Sequence, residues 1–271
     1  MSTQASSVEP QTESSALPLR LDELSTSELE EALKQPQRSV ALLPLGSVEP
    51  HGPHMPLATD RLLSEENASR AAIKLRREGL GCFVAPPLAY GVTDYAAGFC
   101  GAISLSEELY ERLLIEVVKG YLKAGFDHVC LINHHLEPGQ IAALTSAYQQ
   151  LSSALGASVI SAPMVVSRRW GRSLGAEFKS GACHAGAYEG SMILRSHPEL
   201  FRAGRAATLP SLEISLSEAI KAGAPGFKAI GMTEAYTGAP SEASAGEGER
   251  LYQAHVEMVM SEVLEALGLR P

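Results

Sequence analysis

The stretch "SVALLPLGSVEPHGPHMPLATD" (39–60) joins an apolar run to a group of polar side chains enclosed by Gly and Pro. The first seven residues, 39–45, have the composition of a buried strand, and Glu49, His51 and Asp60 follow them. In open α/β sheets, binding sites form just beyond the carboxyl ends of the strands. We therefore predict a strand over 39–45 with a functional site directly after it. Solvated turn chemistry is the alternative interpretation of these polar residues.

Strand patterns alternate with helical patterns along the rest of the chain. Strands are predicted over 39–45, 82–91, 128–133 and 158–166, and helices over 25–33, 61–79, 106–126, 138–156, 186–196 and 246–268. This alternation predicts an α/β fold: a doubly wound, mostly parallel sheet with helices on both faces. Residues 1–17 are expected to be a disordered polar tail and 18–271 a single domain. The weakly patterned segment 203–245 is expected to fold over the site.

The composition excludes several classes of function. The net charge of −9 and the pI of about 5.4 argue against a nucleic-acid surface, which needs concentrated Lys and Arg. No apolar run reaches the roughly 20 residues of a membrane helix. The N-terminus lacks the basic and apolar regions of a signal peptide. The four cysteines show no C-x-x-C spacing, so neither a zinc knuckle nor a disulfide framework is indicated. We expect a cytoplasmic protein.

Glutamate and histidine residues recur two positions apart just after two of the predicted strands. The pairs are Glu49 with His51 and His135 with Glu137, and Asp60 opens the helix after the first pair. Residues two apart in an extended segment point to the same side. Together these side chains could hold two divalent metals, and the mixture of imidazole and carboxylate suits Zn, Mn or Fe better than Mg or Ca. The alternative is that they are ordinary surface or capping groups.

Four motifs resemble, in the same order, those of the creatininase (creatinine amidohydrolase) family. The segment "PLGSVEPHGPHMPLATD" (44–60) resembles P-x-G-S-x-E-Q-H-G-x-H-L-P-x-x-T-D, and "YAAGFCGAISLS" (95–106) resembles H-x-x-F-P-G-T-x-S-L. "INHHLEPG" (132–139) stands in place of N-G-H-G-G-N or N-G-H-Y-E-N, and "CHAGAYEGSMIL" (183–194) resembles H-A-G-x-x-E-T-S-x-x-L. The likeness extends from about residue 20 to the C-terminal helix.

The resemblance implies a creatininase-like, metal-dependent hydrolase domain over 18–271 with two divalent metal ions per chain (Zn, Mn or Fe). By position, the implied metal ligands are Glu49, His51, Asp60, His135 and Glu137, with Asp60 bridging the two ions. Glu189 is the alternative to Glu137 as the last ligand, as in relatives with N-G-H-G-G-N. His184 matches a proton-transferring histidine near the substrate. His184, Glu137 and Glu189 are therefore the candidate catalytic residues. The resemblance also implies a homo-oligomer, the hexamer being the common form.

The implied activity is hydrolysis of a C–N amide bond, other than a peptide bond, in a small open-chain or cyclic amide by metal-activated water. One alternative is a peptidase of a peptide-modification pathway, because the "AGFCGA" loop (97–102) is closer to the A-G-F-P-G-T loop of the mycofactocin-pathway member. Another is a non-hydrolytic metal-binding homologue. The positions that depart from the family pattern are expected to line the pocket, which leaves the substrate open: Pro50, Cys100, Ala102, His134, Pro138 and Gly190. Trp170 is expected in the pocket, the core or an interface.

Overall fold

The computed structural model describes residues 17–163 and 170–270. These residues contain a parallel four-stranded sheet with the strand order β2-β1-β3-β4. The strands are β1 (Ser39–Leu45), β2 (Gly81–Val84), β3 (His128–Asn133) and β4 (Ile160–Ser161). Helices cover both faces of this sheet, so the predicted α/β class with a mostly parallel, doubly wound sheet is confirmed.

Two strands are shorter than the sequence pattern predicts. The strand predicted over 82–91 ends at Val84, because Pro86 and Pro87 follow and cannot donate to a sheet ladder. The strand predicted over 158–166 is formed only by β4, after a 3₁₀ turn at Ala157–Val159. Residues 164–166 of that prediction, and residues 1–16 of the predicted polar tail, lie outside the described residues.

The predicted helices are all present, with ends within about two residues of the expected positions. At the first of them, Ser25 and Glu28 form the capping box that their spacing indicates. The described helices are α1 (Thr26–Leu33), α2 (Thr59–Arg77), α3 (Glu107–Ala124), α4 (Pro138–Leu155), α5 (Gly175–Ser180), α6 (Ala187–Ser196), α7 (Ala203–Ala206), α8 (Leu216–Lys221) and α9 (Ala245–Ala266). None of these helices is both long enough and apolar enough to span a membrane.

Alternate residues of β1 pack on opposite sides of the sheet, as the period of a strand requires. Ala41, Leu43 and Leu45 pack against α1, α3 and α4 on one face. Val40 and Leu42 pack against α2 and α9 on the other. All seven residues of β1 are buried, which explains why its sequence is a continuous apolar run instead of an alternating one.

The strand order reverses between β1 and β3, and this reversal places the site. The connection from β1 leads to β2 on one side, whereas β3 lies on the other side. The last residues of β1 and β3, Leu45 and Asn133, are direct partners in the sheet. The loops that follow them therefore start side by side and then diverge, which opens a crevice at the carboxyl edge of the sheet.

Candidate metal centre

The loop after β1 and the first turn of α2 supply three of the side chains that meet in this crevice. Gly46 lets the loop pass close to the start of α2, since a Cβ there would lie 2.5 Å from the backbone nitrogen of Arg61. Glu49 and His51 follow in the loop, and Asp60 lies in the first turn of α2. The His51 Nδ1–H donates to the Glu49 carbonyl at 3.2 Å, so the lone pair of Nε2 points at Asp60, with 3.3 Å between Nε2 and Oδ1.

The loop after β3 supplies a second histidine in a fixed orientation. The Asn133 side chain donates to the His135 carbonyl at 2.7 Å and holds the turn. The His135 Nε2–H donates to the Val92 carbonyl at 2.6 Å. Its Nδ1 therefore carries a lone pair, 3.1 Å from Glu49 Oε1 and 3.2 Å from Asp60 Oδ2. A backbone partner that fixes the tautomer in this way is typical of metal-binding histidines.

Helix α6 carries Glu189 into the same crevice. The Glu177 carboxylate accepts the backbone amides of Ala187 at 3.0 Å and Tyr188 at 2.5 Å, and so caps the start of the helix. Just before it, Ala185 has a positive φ of 54°, which is uncommon for a residue with a side chain. This turn aims the Ala185 amide at Glu189 Oε2, with 2.7 Å between them, and the same oxygen lies 3.5 Å from His51 Nε2.

These side chains form two groups of potential metal ligands that share Asp60. One group is Glu49, Asp60 and His135, and the other is His51, Asp60 and Glu189. Within each group the ligand atoms lie within 4.8 Å of one another, and all the residues are buried. His51 Nε2 has no hydrogen-bond partner in the described structure although it is buried among carboxylate oxygens. A buried lone pair facing carboxylates fits a cation between them.

The charges of the cluster also fit divalent ions. When the three buried carboxyl groups, Glu49, Asp60 and Glu189, are ionised and the two histidines are neutral, as metal ligands must be, the cluster has an excess of negative charge. Burial raises the pKa of Glu189 to about 8, although the charge of His51 opposes this shift. Burial lowers the pKa of His51, but Asp60, Glu189 and Glu49 outweigh it and raise that pKa to about 10. Both shifts favour added positive charge, which divalent metals would supply.

Two hydroxyl groups hold the carboxylates in place. Thr93 Oγ1 donates to Glu49 Oε2 at 2.6 Å, and Ser47 Oγ donates to Asp60 Oδ2 at 2.7 Å. Neither role was predicted from the sequence. Ser47 lies inside the first motif, so a role close to the metal ligands could have been predicted from its position. Thr93 is 44 residues from Glu49 and has no local signal.

Glu137, which the sequence analysis placed among the metal ligands, lies beside the cluster with its oxygens already engaged. Its Oε2 accepts the Tyr95 amide at 3.0 Å, and its Oε1 accepts the Gly139 amide at 3.4 Å as the N-cap of α4. Among the described residues, no group of potential metal ligands includes it. Burial raises its pKa to about 7. Its role as a ligand stays a prediction, while Glu189 occupies the position next to His51 and Asp60.

His184 lies beside the cluster and lines the cavity there, with 4.3 Å between its ring centre and that of His51. Its Nε2–H donates to the Pro50 carbonyl at 3.0 Å, and its Nδ1 lies 3.7 Å from Glu49 Oε1. Burial and the neighbouring His51 lower its pKa to about 4, so the ring is neutral. Its Nδ1 is close enough to Glu49 and His51 that a metal ligand role is also compatible with the geometry.

A cavity of about 230 Å³ opens onto these residues. Of the positions that depart from the family pattern, His134 and Pro138 line it, and Pro50, Cys100, Ala102 and Gly190 are not among its described lining residues. Trp170 is not among them either: its Nε1–H donates to Glu262 at 2.8 Å, and it packs against the core around α6 and α9. The segment 203–245 lies over the cavity as expected, since Leu216 and Phe227 line it.

A sequence model of the family described as creatinine amidohydrolase (Creatininase) matches residues 22–263. The chain belongs to the creatininase family. The resemblance that the motifs indicate is therefore confirmed, and with it a hydrolase whose structure contains groups of metal-binding side chains.

Both curated and structural relatives of this creatininase-family chain cover most of its length. The "Mycofactocin precursor peptide peptidase" of Mycobacterium ulcerans (strain Agy99) is 32% identical over 236 residues, which are 82% of this chain and 83% of that protein. The solved structure "Creatininase Mn" has a TM-score of 0.66 at 21% identity, covering 93% of this chain and 99% of that one. A mutant creatininase of "Zn-Zn type" has a TM-score of 0.68 at 22% identity, covering 94% of this chain and 100% of that one. Both of these solved structures share the fold of this chain.

Proposed function

We propose that this protein is a hydrolase of amide C–N bonds that uses two divalent metal ions. Glu49, Asp60 and His135 would hold one ion, and His51, Asp60 and Glu189 the other, with Asp60 shared. The observation that carries the proposal is the buried pair of ligand groups with both histidine lone pairs directed inward. Glu189 is preferred to Glu137 as the last ligand because its Oε2, which accepts one backbone amide, also lies 3.5 Å from His51 Nε2. Both oxygens of Glu137 accept backbone amides, and among the described residues Glu137 belongs to no group of potential metal ligands.

Two ions in such a site lower the pKa of a bound water and polarise the amide carbonyl. His184 is suited to the proton transfer that amide cleavage also requires. Because its Nε2–H is held by Pro50, its Nδ1 is the nitrogen that faces Glu49 and the cluster. Nδ1 first accepts a proton and then delivers it to the leaving nitrogen. Glu137, at the wall of the same cavity, is the second group placed to exchange a proton there.

The curated relatives favour a peptide as the substrate. The protein from M. ulcerans is named a peptidase, and it is 32% identical to this chain over most of the length of both. The two creatininase structures are 21–22% identical to this chain and support the fold alone. We therefore place a peptide first and a small cyclic amide, as in the family description, second. We also propose a homo-oligomer, on the motif resemblance, and a cytoplasmic location, because the four cysteines are free and form no disulfide framework.

The test is metal-dependent hydrolysis. The protein is stripped with a chelator, reloaded with Zn²⁺ or Mn²⁺, and assayed on blocked peptides and on creatinine, with mass spectrometry to identify the products. Hydrolysis that needs the metal and yields a new carboxylate and a new amine supports the proposal. A protein that binds two metal ions but cleaves no amide in either series would instead be a non-hydrolytic homologue.

A further inference from the structure

The described residues that line the cavity are of two chemical kinds. The potential metal ligands among them are polar: Glu49, Asp60, His135 and Glu189. The apolar ones, which we name the apolar wall, are Leu136, Phe178, Leu216, Ile220 and Phe227, and the last three pack in one hydrophobic cluster. Because both kinds line one cavity of limited volume, a substrate whose amide reaches the ligands has its neighbouring group within reach of the apolar wall.

We infer that the apolar wall binds a bulky apolar group, such as a phenyl or branched aliphatic side chain, next to the amide bond that is cleaved. The inference rests on the proposed amide hydrolysis and specifies its substrate class. The cavity volume of about 230 Å³ supports it. An apolar cavity of about 150 Å³ in another protein accommodates benzene. There is thus room for a phenyl ring and the amide together.

The apolar wall is built into the fold. The Leu216 amide donates to the Gly181 carbonyl at 2.9 Å and joins the start of α8 to the end of α5. Gly181 has a φ of 84°, and a Cβ there would lie 2.4 Å from Ser215 Oγ, so the joint needs a glycine. Leu216 and Phe227 are themselves buried. This packing holds the wall in place before any substrate enters.

The apolar wall also touches the residue proposed for proton transfer. The Phe227 ring packs against the His184 ring with 4.5 Å between the ring centres, and edge-on against Tyr95 at 5.4 Å. An apolar group seated beside Phe227 therefore lies close to both His184 and the ligands. Because a change at Phe227 would also disturb His184, Ile220, in the last turn of α8, is the better position for a test.

The first experiment uses the metal-loaded protein and two substrate series. One series is an alanine hexapeptide, blocked at both ends, with a single Phe or a single Asp placed at each position in turn. The other is a five-membered cyclic amide with a methyl or a benzyl substituent. Phe beside the cleaved bond, or benzyl for methyl, is expected to raise kcat/KM by roughly 10- to 100-fold, as burial of one large apolar side chain allows. Asp at the same position is expected to give no increase.

The second experiment changes the size of the apolar wall. Ile220→Phe fills part of the cavity and should lower the Phe/Ala ratio of kcat/KM by about 10-fold, whereas Ile220→Ala should retain it and admit a naphthyl group. Ile73→Phe is the matched control, because Ile73 lies on α2 and is 45% exposed. It should leave the ratio unchanged. A general loss of folding would lower both rates together and would not change the ratio.

The outcomes separate the inference from the proposed function. Equal kcat/KM values for Phe and Ala, or for benzyl and methyl, would overturn the apolar substrate while leaving amide hydrolysis intact. Faster cleavage of Asp-containing peptides would also overturn it. No cleavage in either series by the metal-loaded protein would contradict the proposed function itself and the inference with it.

Discussion

The two glutamate–histidine pairs have the same spacing and follow neighbouring strands, yet only the first pair brings both its members into the groups of potential metal ligands, whereas the second brings His135 alone. After β1 no helix begins until Thr59, and both Glu49 and His51 enter the cluster. After β3 the helix α4 begins at Pro138, and the preceding residue, Glu137, becomes its N-cap. Side chains with the same spacing thus serve different purposes, and the start of the next helix decides which purpose.

Removal of the shared carboxylate should have the largest effect, because Asp60 contacts both histidines of the cluster. Asp60→Asn is expected to release both ions and to lower kcat/KM by at least about 1,000-fold, since metal-ion catalysis supplies several kcal/mol. Metal analysis and the hydrolysis assay measure the two effects. Asp127→Asn, in a loop at the opposite edge of the sheet, is the matched control and should retain both ions. Retention of two ions by Asp60→Asn would refute the shared ligand.

The sequence allowed the fold and most of the cluster to be predicted, for identifiable reasons. The buried run of β1 and the amphipathic helices have strong periodicities, and the carboxyl ends of parallel strands bring Glu49, His51 and His135 to one edge. The place of Glu189 depends on Glu177, which caps α6 from a separate segment, and on the unusual φ of Ala185. Neither the cap from Glu177 nor the positive φ of Ala185 has a local sequence pattern from which it could be predicted. The short second strand could have been predicted from Pro86 and Pro87.

The next largest effect is expected at His184, which with Glu137 is one of the two residues proposed for proton transfer. His184→Ala is expected to lower kcat by about 10²- to 10⁴-fold, the usual contribution of a general acid or base, while both metal ions stay bound. Steady-state kinetics and metal analysis of the same preparation check this. His197→Ala, a half-buried histidine outside the site, is the control. Loss of one ion from His184→Ala would make His184 a ligand, and an unchanged kcat would assign the proton transfer to Glu137.

The hydroxyl groups that support the converging pair should have a smaller effect. Thr93→Ala removes the donor to Glu49 and is expected to weaken metal affinity by about 10- to 100-fold without unfolding the protein. Competition with a chelating dye measures the affinity. Thr145→Ala, in which the lost hydroxyl donates to the Ile141 carbonyl within α4, should leave the affinity unchanged. Equal affinities of the two variants would mean that Glu49 needs no support from Thr93.

The smallest effect is expected on the stability of the protein and comes from Glu137, the member of the second pair that caps α4. Burial raises the pKa of Glu137 from 4.5 to about 7, so the folded metal-free protein binds this proton more tightly than the unfolded chain. Its contribution to the free energy of unfolding is therefore present below about pH 4.5 and lost as the pH rises through 7. Allowing for partial solvent exposure, the loss is about 1–2 kcal/mol.

Glu137→Gln removes this titration. Urea unfolding in the presence of a chelator should therefore show the variant gaining stability relative to the wild type between pH 5 and 8, by about 1–2 kcal/mol. A difference that stays constant over this pH range would show that Glu137 titrates at its ordinary pKa.

The central claim is that Glu189, and not Glu137, completes the set of metal ligands. The metal stoichiometry of two matched variants tests this claim most directly. Wild type, Glu189→Gln and Glu137→Gln are reloaded with Zn²⁺ or Mn²⁺, freed of excess ion and analysed for metal per chain. We expect about two ions in the wild type, about one in Glu189→Gln and about two in Glu137→Gln, because Glu189 and not Glu137 forms a group of potential ligands with His51 and Asp60. Loss of an ion from Glu137→Gln, with Glu189→Gln unaffected, would contradict the proposed ligand set, and a wild type with no bound metal would contradict the metal centre as a whole.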